Sequence, residues 1–229
     1  MRLRIPTPIH GWRQFAGEVG IIVVGVLVAL GAQQVVEDRQ WSNQVAEART
    51  SLDNQLVESK FASLERIAIA GCTDRQLDFV DEVIGGERPA KGLNIKIGAL
   101  RLWSTSAWES ATASGAVARM PANTRNDYAG LFSFTTALGE INRTEFGTAA
   151  SLRTLEHHTE LNDVSRDRLA QAVAKLRAIN AIMKIGAEQW LQGAKPLHLK
   201  LEGAEADLDR AKTCVLPDGS KVPPGSSTR

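Results

Sequence analysis

The sequence predicts a mainly α-helical protein, with a single N-terminal transmembrane helix continuing into an extracytoplasmic antiparallel helical bundle. Three observations lead to this fold class. The fourteen residues 19–32 carry no charged or strongly hydrogen-bonding side chain. Beyond them, apolar residues recur at spacings of three and four, which is typical of amphipathic helices. Glycine and proline gather in short segments between these helical stretches, where they end helices.

Composition sets the limits on function. The 229 residues include 27 Lys+Arg and 26 Asp+Glu, a net charge of +1. A nucleic-acid binder usually has a clear basic excess, so we expect no nucleic-acid partner. Balanced charge with 43% hydrophobic residues is not the composition of a disordered chain. Two cysteines are too few for a disulfide-dense scaffold or a four-cysteine zinc site.

The apolar run predicts a transmembrane helix over 15–36, with the lipid bilayer as its partner. These 22 residues are interrupted only by one glutamate and two glutamines. As a helix they span about 33 Å, against about 30 Å for the hydrocarbon core of a bilayer. Trp12 and Trp41 bracket the run, and tryptophan favours the two membrane interfaces.

Flanking charge predicts the orientation of this helix. Three arginines lie within residues 1–14, whereas residues 37–84 hold ten acidic and five basic side chains. By the positive-inside rule, residues 1–14 are cytoplasmic and the domain 37–216 lies outside the cytoplasm. Two other interpretations stay open. A signal peptide could be cleaved near Ala29-Leu30-Gly31, although the polar segment before its apolar region would be unusually long. A pilin-like subunit is suggested by Gly11 and Glu18, but their spacing differs by one residue from the glycine-to-glutamate spacing of pilins.

One face of the predicted span collects Glu18, Gly25, Ala29 and Ala32. Gly25 and Ala29 form a small-xxx-small pair, which allows close approach of a second helix. We therefore predict a contact through this face with a copy of the chain or with a partner. The alternative is that Glu18 reaches the headgroups and the small residues are ordinary membrane composition.

Two blocks of sequence resemble a group of uncharacterised bacterial single-span membrane proteins. The first is Gly17–Leu30, of the type GEVxIIVxGVLxAL, followed by Gln33–Glu37 and Trp41. The second is Ser106–Ser110 with the nearby Ser114-Gly115 and Met120-Pro121. The resemblance implies a single-span topology, and it supplies no activity that could be carried over to this chain. We accordingly expect the bacterial inner membrane, with the N-terminus cytoplasmic and the C-terminal domain periplasmic.

The helical pattern after the span predicts a long first helix. It runs to about Ala70, is kinked at Gly71 and ends at Gly85-Gly86. A loop follows over 85–92. Alternating residues then predict short strands at Leu93–Ile97 and Leu197–Leu201, which pair as a two-stranded ribbon or are irregular or helical.

Further helices follow from capping and breaking residues. Ser106 is the predicted N-cap of a small-residue helix, with Glu109 completing a capping box. The remaining predictions are a helix from Pro121 to about Glu160, a helix capped by Asn162 or Asp163 and ended by Gly193 and Pro196, a short helix over Glu202–Thr213, and a flexible tail over 217–229.

Cys72 and Cys214 are predicted to form a disulfide, because the expected topology puts both in an oxidising compartment. The alternative is a pair of isolated buried thiols. If the bond forms, it closes a loop of 141 intervening residues between the first helix and the last.

Catalytic chemistry finds little support in the sequence. It has no G-x-S-x-G, Walker, G-x-G-x-x-G or H-E-x-x-H motif. The cluster Glu156-His157-His158-Thr159-Glu160 is the one grouping of histidine with carboxylates. His10 lies across the predicted membrane, so a full metal ligand set is lacking and a surface cluster is favoured. We expect no catalytic residue, metal or cofactor.

Arg101, Trp103, Trp108 and Tyr128 lie close in sequence and could line a pocket for an apolar or anionic ligand. The alternative is that these aromatic residues are core or interface anchors. The function favoured by the sequence is a non-enzymatic partner or scaffold of an envelope complex, binding another membrane or envelope protein or itself. A ligand-sensing subunit is the alternative; its short cytoplasmic segment would force it to signal through a partner membrane protein.

Overall fold

The fold is mainly α-helical, as the sequence predicts. A computed structural model describes residues 12–97, 100–157 and 160–222. The helices are α1 (Trp12–Gly85), α2 (Ser106–Ala113), α3 (Ala122–Leu152), α4 (Asp163–Gly193) and α5 (Glu205–Ala211). Short 3-10 turns cover Val117–Arg119, Arg153–Glu156 and Lys195–Leu197, and two short strands follow, β1 (Cys214–Val215) and β2 (Lys221–Val222).

The chain divides into two compact units, Met1–Glu47 and Ala48–Arg229. The described part of the first unit is entirely helical and belongs to α1. Every residue from Phe15 to Gln40 is exposed, and no residue of the most apolar stretch is buried within the fold. Within the described residues, this is the one helix long and apolar enough to cross a membrane.

The second unit is built on three long helices whose buried residues repeat at spacings of four and three. This is the spacing that keeps one stripe of a helix facing its neighbours in a bundle. The buried stripes are Leu52, Leu56, Ser59, Ser63, Arg66, Ala70, Thr73, Leu77, Val80 and Ile84 of α1; Tyr128, Leu131, Thr135, Leu138, Asn142, Glu145, Ala149 and Leu152 of α3; and Leu169, Val173, Leu176, Asn180, Met183, Ala187 and Trp190 of α4.

Side-chain contacts give the helix directions. Tyr128 bonds to Asp53 and Glu145 bonds to Arg66, so α1 and α3 run parallel. Arg177 bonds to Asp78, and Gly186 packs on Leu138, so α4 is antiparallel to both. The prediction of an antiparallel bundle therefore holds for α4 only. The reason is the connection between α1 and α2, whose described residues 86–97 and 100–105 return along the bundle in non-helical form.

The returning connection explains the predicted strand at Leu93–Ile97, which does not form. Leu93, Ile95 and Ile97 are buried in the core cluster at the end of α1, so their alternation reflects one-sided burial. Their backbone groups bond elsewhere: the Ile95 N–H donates to the Glu156 carboxylate at 2.6 Å, and the Asn94 N–H donates to the Pro217 carbonyl at 2.7 Å.

The two-stranded ribbon is present, but in other residues than predicted. The second predicted strand, Leu197–Leu201, contains the end of a 3-10 turn and His198 at φ 49. Instead β1 and β2 pair antiparallel, with Cys214 opposite Val222, around a turn in which Gly219 has φ 86. The predicted flexible tail from residue 217 therefore begins with an ordered hairpin as far as Val222. Residues 223–229 lie outside the described residues.

Helix boundaries agree with the local signals only in part. The Asn162 side chain caps α4 by accepting from the Ser165 N–H at 2.8 Å, which confirms the predicted cap. The N-cap of α2 is Thr105 rather than Ser106, and the Thr105 hydroxyl donates to Glu109 at 2.8 Å. Helix α2 ends at Ala113, α3 ends at Leu152 instead of near 160, and α1 continues through Gly71.

Candidate functional site

The predicted transmembrane contact face lies on a regular part of α1. Glu18, Gly25, Ala29 and Ala32 are helical and exposed. A Cβ atom built on Gly25 would meet no atom within 4 Å. The small residues thus form a shallow, uncovered stripe, the shape that a second helix needs for close packing. Whether this stripe is used stays a prediction.

The two cysteines lie together in the second unit. Cys72 comes from the C-terminal part of α1 and Cys214 from β1, and their sulfur atoms are 2.10 Å apart, a disulfide distance. The link fixes the C-terminal hairpin against α1. A hydrogen bond of 2.7 Å from the Gln76 side chain to the Val215 carbonyl supports the same junction.

A cavity of about 290 Å³ lies beside this junction. Its walls come from α1, from the returning connection and from residues 211–219. Thr73, Gln76, Asn94 and Lys96 supply polar groups to its lining. Its volume is at the lower end of the range for small-molecule sites, and its wall is part polar and part apolar.

The four residues of the predicted ligand pocket do not share one cavity in the described structure. Arg101 and Trp103 line a space of about 10 Å³, which is room for about one water molecule. Arg101 makes a double hydrogen bond to Glu65, and this bond raises the pKa of the Arg101 guanidinium. Trp103 is buried and so close to Gly139 that a Cβ there would lie 3.1 Å from the Trp103 Cβ.

The other two pocket residues are anchors of the bundle. Trp108 stacks on Phe132 with ring centroids 5.6 Å apart. The Tyr128 hydroxyl is buried and donates to the Asp53 carboxylate at 2.5 Å. Burial, together with this hydrogen bond, raises the pKa of Tyr128 to about 12. Trp103, Trp108 and Tyr128 therefore agree with the alternative interpretation, in which the aromatic residues are anchors of the bundle.

The structure reveals a buried polar layer that the sequence analysis missed. We define the polar layer as Arg66, Asn142, Glu145 and Asn180. Arg66 and Glu145 form a two-pronged ion pair, with N–O distances of 2.9 and 2.6 Å, and are 4% and 0% exposed. Arg66 also donates to Asn180 at 2.9 Å, and Asn142 donates to Glu145 at 3.1 Å. The layer therefore joins α1, α3 and α4 in the core.

A sequence signal for the polar layer exists. Each of its four residues occupies a position where the four-three repeat of its helix calls for an apolar side chain. Asn180, for example, sits between Leu176 and Met183 at the spacings of the buried stripe. A polar residue at such a position indicates a partner on a facing helix, because an unpaired buried polar group is costly.

The histidine and carboxylate cluster does not form a metal site within the part of the chain that the structure describes. No group of three or more metal-ligating side chains is found among those residues. Glu156 instead accepts the backbone N–H of Ile95, and so holds the returning connection. His158 lies outside the described residues.

Comparisons with known proteins add no functional assignment. No protein family, curated protein or solved structure matches the chain. The resemblance to a group of bacterial single-span membrane proteins therefore stays a prediction.

Proposed function

We propose that the chain is a single-pass protein of the bacterial inner membrane whose periplasmic helical domain binds another envelope or membrane protein, or itself, without catalysing a reaction. The observation that carries this proposal is that every residue in the apolar part of α1 is exposed. Nine large aliphatic side chains in 19–32 are between 41% and 76% exposed. Fully burying one such side chain stabilises by about 1.5–3 kcal/mol, so the whole set favours an apolar environment by on the order of 10 kcal/mol. A lipid bilayer supplies that environment over the required length.

The disulfide and the charge distribution support the periplasmic side. Disulfides persist in oxidising compartments such as the periplasm and are rare in the bacterial cytosol. The Cys72–Cys214 pair lies in the second unit, beyond the apolar stretch. The arginines that precede the stretch favour a cytoplasmic N-terminus by the positive-inside rule. Both features therefore favour the same orientation.

A binding role is supported by the way the polar groups of the bundle are used. The buried ionisable residues Arg66 and Glu145 are paired with each other in the core. A catalytic acid or base must instead reach its substrate in a cleft. The polar layer therefore acts in aligning the helices, and interaction is left to the outer surfaces and to the uncovered stripe of α1.

The first experiment tests the topology. Full-length protein is fused at its C-terminus either to alkaline phosphatase, which is active only in the periplasm, or to green fluorescent protein, which fluoresces in the cytoplasm but not after export through the general secretion route. We expect phosphatase activity without fluorescence. Fluorescence without phosphatase activity would contradict the proposed orientation.

The second experiment tests the binding role. The full chain is purified in a mild detergent and its mass in solution is measured. We expect a stoichiometric partner or a homo-oligomer, which is lost when Gly25 and Ala29 are both replaced by leucine. Gly20→Leu is the matched control, because this position lies on the opposite side of the helix. A lone monomer in the unchanged protein contradicts the binding role.

A ligand-sensing subunit is the second candidate, and the cavity of about 290 Å³ beside the disulfide favours it. A ligand bound there would contact α1 and the C-terminal hairpin at once. A thermal-shift screen of the full chain against small polar metabolites tests this role, with Thr73→Leu as the variant that narrows the cavity. A stabilising compound whose effect is lost in Thr73→Leu supports sensing, and no stabilising compound counts against it.

A further inference from the structure

A second surface of the helical unit carries a more specific inference. We define the apolar groove by Val57 and Phe61 of α1, Leu102 of the returning connection, and Leu201 and Ala204 near α5; it encloses about 410 Å³. Three separate stretches of the chain thus converge on one open depression. Its apolar lining makes it a place where a side chain of another molecule can be removed from water.

Leu102 is the clearest sign that the groove is unfilled. This side chain is 88% exposed, and Leu100 two residues earlier is 46% exposed, although the neighbouring Trp103 is buried. Exposing leucines to water is unfavourable, and a partner that covers them recovers free energy in proportion to the apolar area it covers. Such patches mark interaction sites more often than isolated exposed leucines do.

The charges around the groove identify the kind of partner. Glu58, Glu202 and Asp207 line it together with Arg101. Arg101 is engaged by Glu65, and Asp207 is engaged by Arg210. Glu58 and Glu202 have no ion-pair partner within the described residues, so the rim carries two uncompensated negative charges. A complementary partner presents positive charge beside its apolar side chains.

We infer that the apolar groove is a docking site for a segment of a partner protein that carries leucine-like anchors flanked by lysine or arginine. The inference rests on the proposed binding role and names the surface and the chemistry of that partner. Leu102 packs against the anchor, and the carboxylates of Glu58 and Glu202 receive the cationic groups. The apolar contact supplies most of the affinity, while the charges favour this partner over acidic ones.

The test uses the full chain in phosphatidylcholine nanodiscs and a short fluorescein-labelled peptide of alternating leucine and lysine. Two matched peptides replace lysine by glutamate or leucine by serine. Fluorescence anisotropy, corrected with empty nanodiscs, measures binding. We expect the leucine–lysine peptide to bind at least about tenfold more tightly than either matched peptide. Equal binding of the glutamate peptide would overturn the assignment.

Groove variants locate the binding. Leu102→Ser is expected to weaken binding of the leucine–lysine peptide by about tenfold, because it removes one apolar contact. Glu58→Gln combined with Glu202→Gln should weaken it by about threefold to tenfold and reduce its dependence on salt. Ile182→Ser is the matched control, since Ile182 is an exposed residue of α4 outside the groove, and it should bind like the parent.

Two further outcomes would overturn the inferred partner or its location. Parent-like binding by Leu102→Ser would overturn the groove assignment. If Leu102→Ser instead dissolves a homo-oligomer of the peptide-free protein, the occupant is a second copy and the inferred partner is wrong. The reporter fusions test topology independently of peptide binding, so failure of the groove and failure of the proposed function are distinguishable.

Discussion

A single substitution that breaks the ion pair at the centre of the polar layer should lower the free energy of unfolding by a large and measurable amount. Replacing Glu145 by leucine removes the two carboxylate oxygens that bind Arg66 at 2.9 and 2.6 Å. It also removes one hydrogen bond of the Asn142 amide, which donates to Glu145 at 3.1 Å. Arg66 then stays in the core as a charge without a counter-ion, since its side chain is 5% exposed.

The expected cost follows from that burial. Breaking a buried ion pair by removing one partner costs about 3–5 kcal/mol, because the other charge is left desolvated. For a domain of this size, that corresponds to a loss of roughly 6–20 °C in Tm. The exposed pair Arg143–Glu140, with side chains 68% and 62% exposed, supplies the control. Glu140→Leu should cost less than about 1 kcal/mol.

Thermal and chemical unfolding of the full chain in detergent, followed by tryptophan fluorescence, measures these differences. The double variant Arg66→Met with Glu145→Leu should regain most of the lost stability, because it leaves no unpaired charge in the core. A stability of Glu145→Leu within about 1 kcal/mol of the parent would refute the reasoning, as would a double variant that is as unstable as the single one.

Three further predictions concern other contacts. Replacing Cys72 and Cys214 by serine should destabilise the chain by up to about 5 kcal/mol, because a closed loop with a sequence separation of 142 is released; unfolding with and without reductant checks this. Gly186→Ala should destabilise the fold by about 1–3 kcal/mol, since its Cβ would lie 2.7 Å from the buried Leu138 side chain. Gly147→Ala, whose Cβ would meet no atom within 4 Å, should stabilise it by about 0.5–1 kcal/mol. Denaturant midpoints measure both differences. Tyr128 has a pKa of about 12 in the folded state and about 10 in the unfolded state. Its contribution to stability is therefore complete below pH 10 and falls as the pH rises towards 12. Unfolding curves of Tyr128→Phe should lack this decline.

Local signals were sufficient for much of the helical architecture. The stripe from Leu169 to Trp190 and the cap at Asn162 are properties of a single helix, and both are found in α4. The mainly α fold was predictable for the same reason. Such features depend on residues three or four positions apart, which the sequence displays directly.

The path of the chain between α1 and α3 was not predictable in the same way. Leu93–Ile97 alternates as a strand does, yet its apolar side chains enter the core while its backbone bonds to Glu156 and Pro217. Alternation reports burial on one side, and it does not reveal whether a neighbouring strand exists. The parallel arrangement of α1 and α3 follows from this connection and is a tertiary property.

The candidate site was the least predictable part. Trp103 and Trp108 are close in sequence, but one lies in the extended connection and the other in α2, so the two rings serve different contacts. The polar layer is assembled from residues as far apart as Arg66 and Asn180. The groove likewise combines α1 with residues near α5. Such groupings require knowledge of which helices face each other.

The proposed topology, location and partners all depend on the apolar stretch of α1 anchoring the chain in a lipid bilayer. Washing membranes that contain the full-length protein first with high salt and then with alkaline carbonate tests it most directly. We expect the protein to stay in the membrane pellet through both washes and to be released only by detergent. Full-length protein in the salt supernatant would contradict the claim.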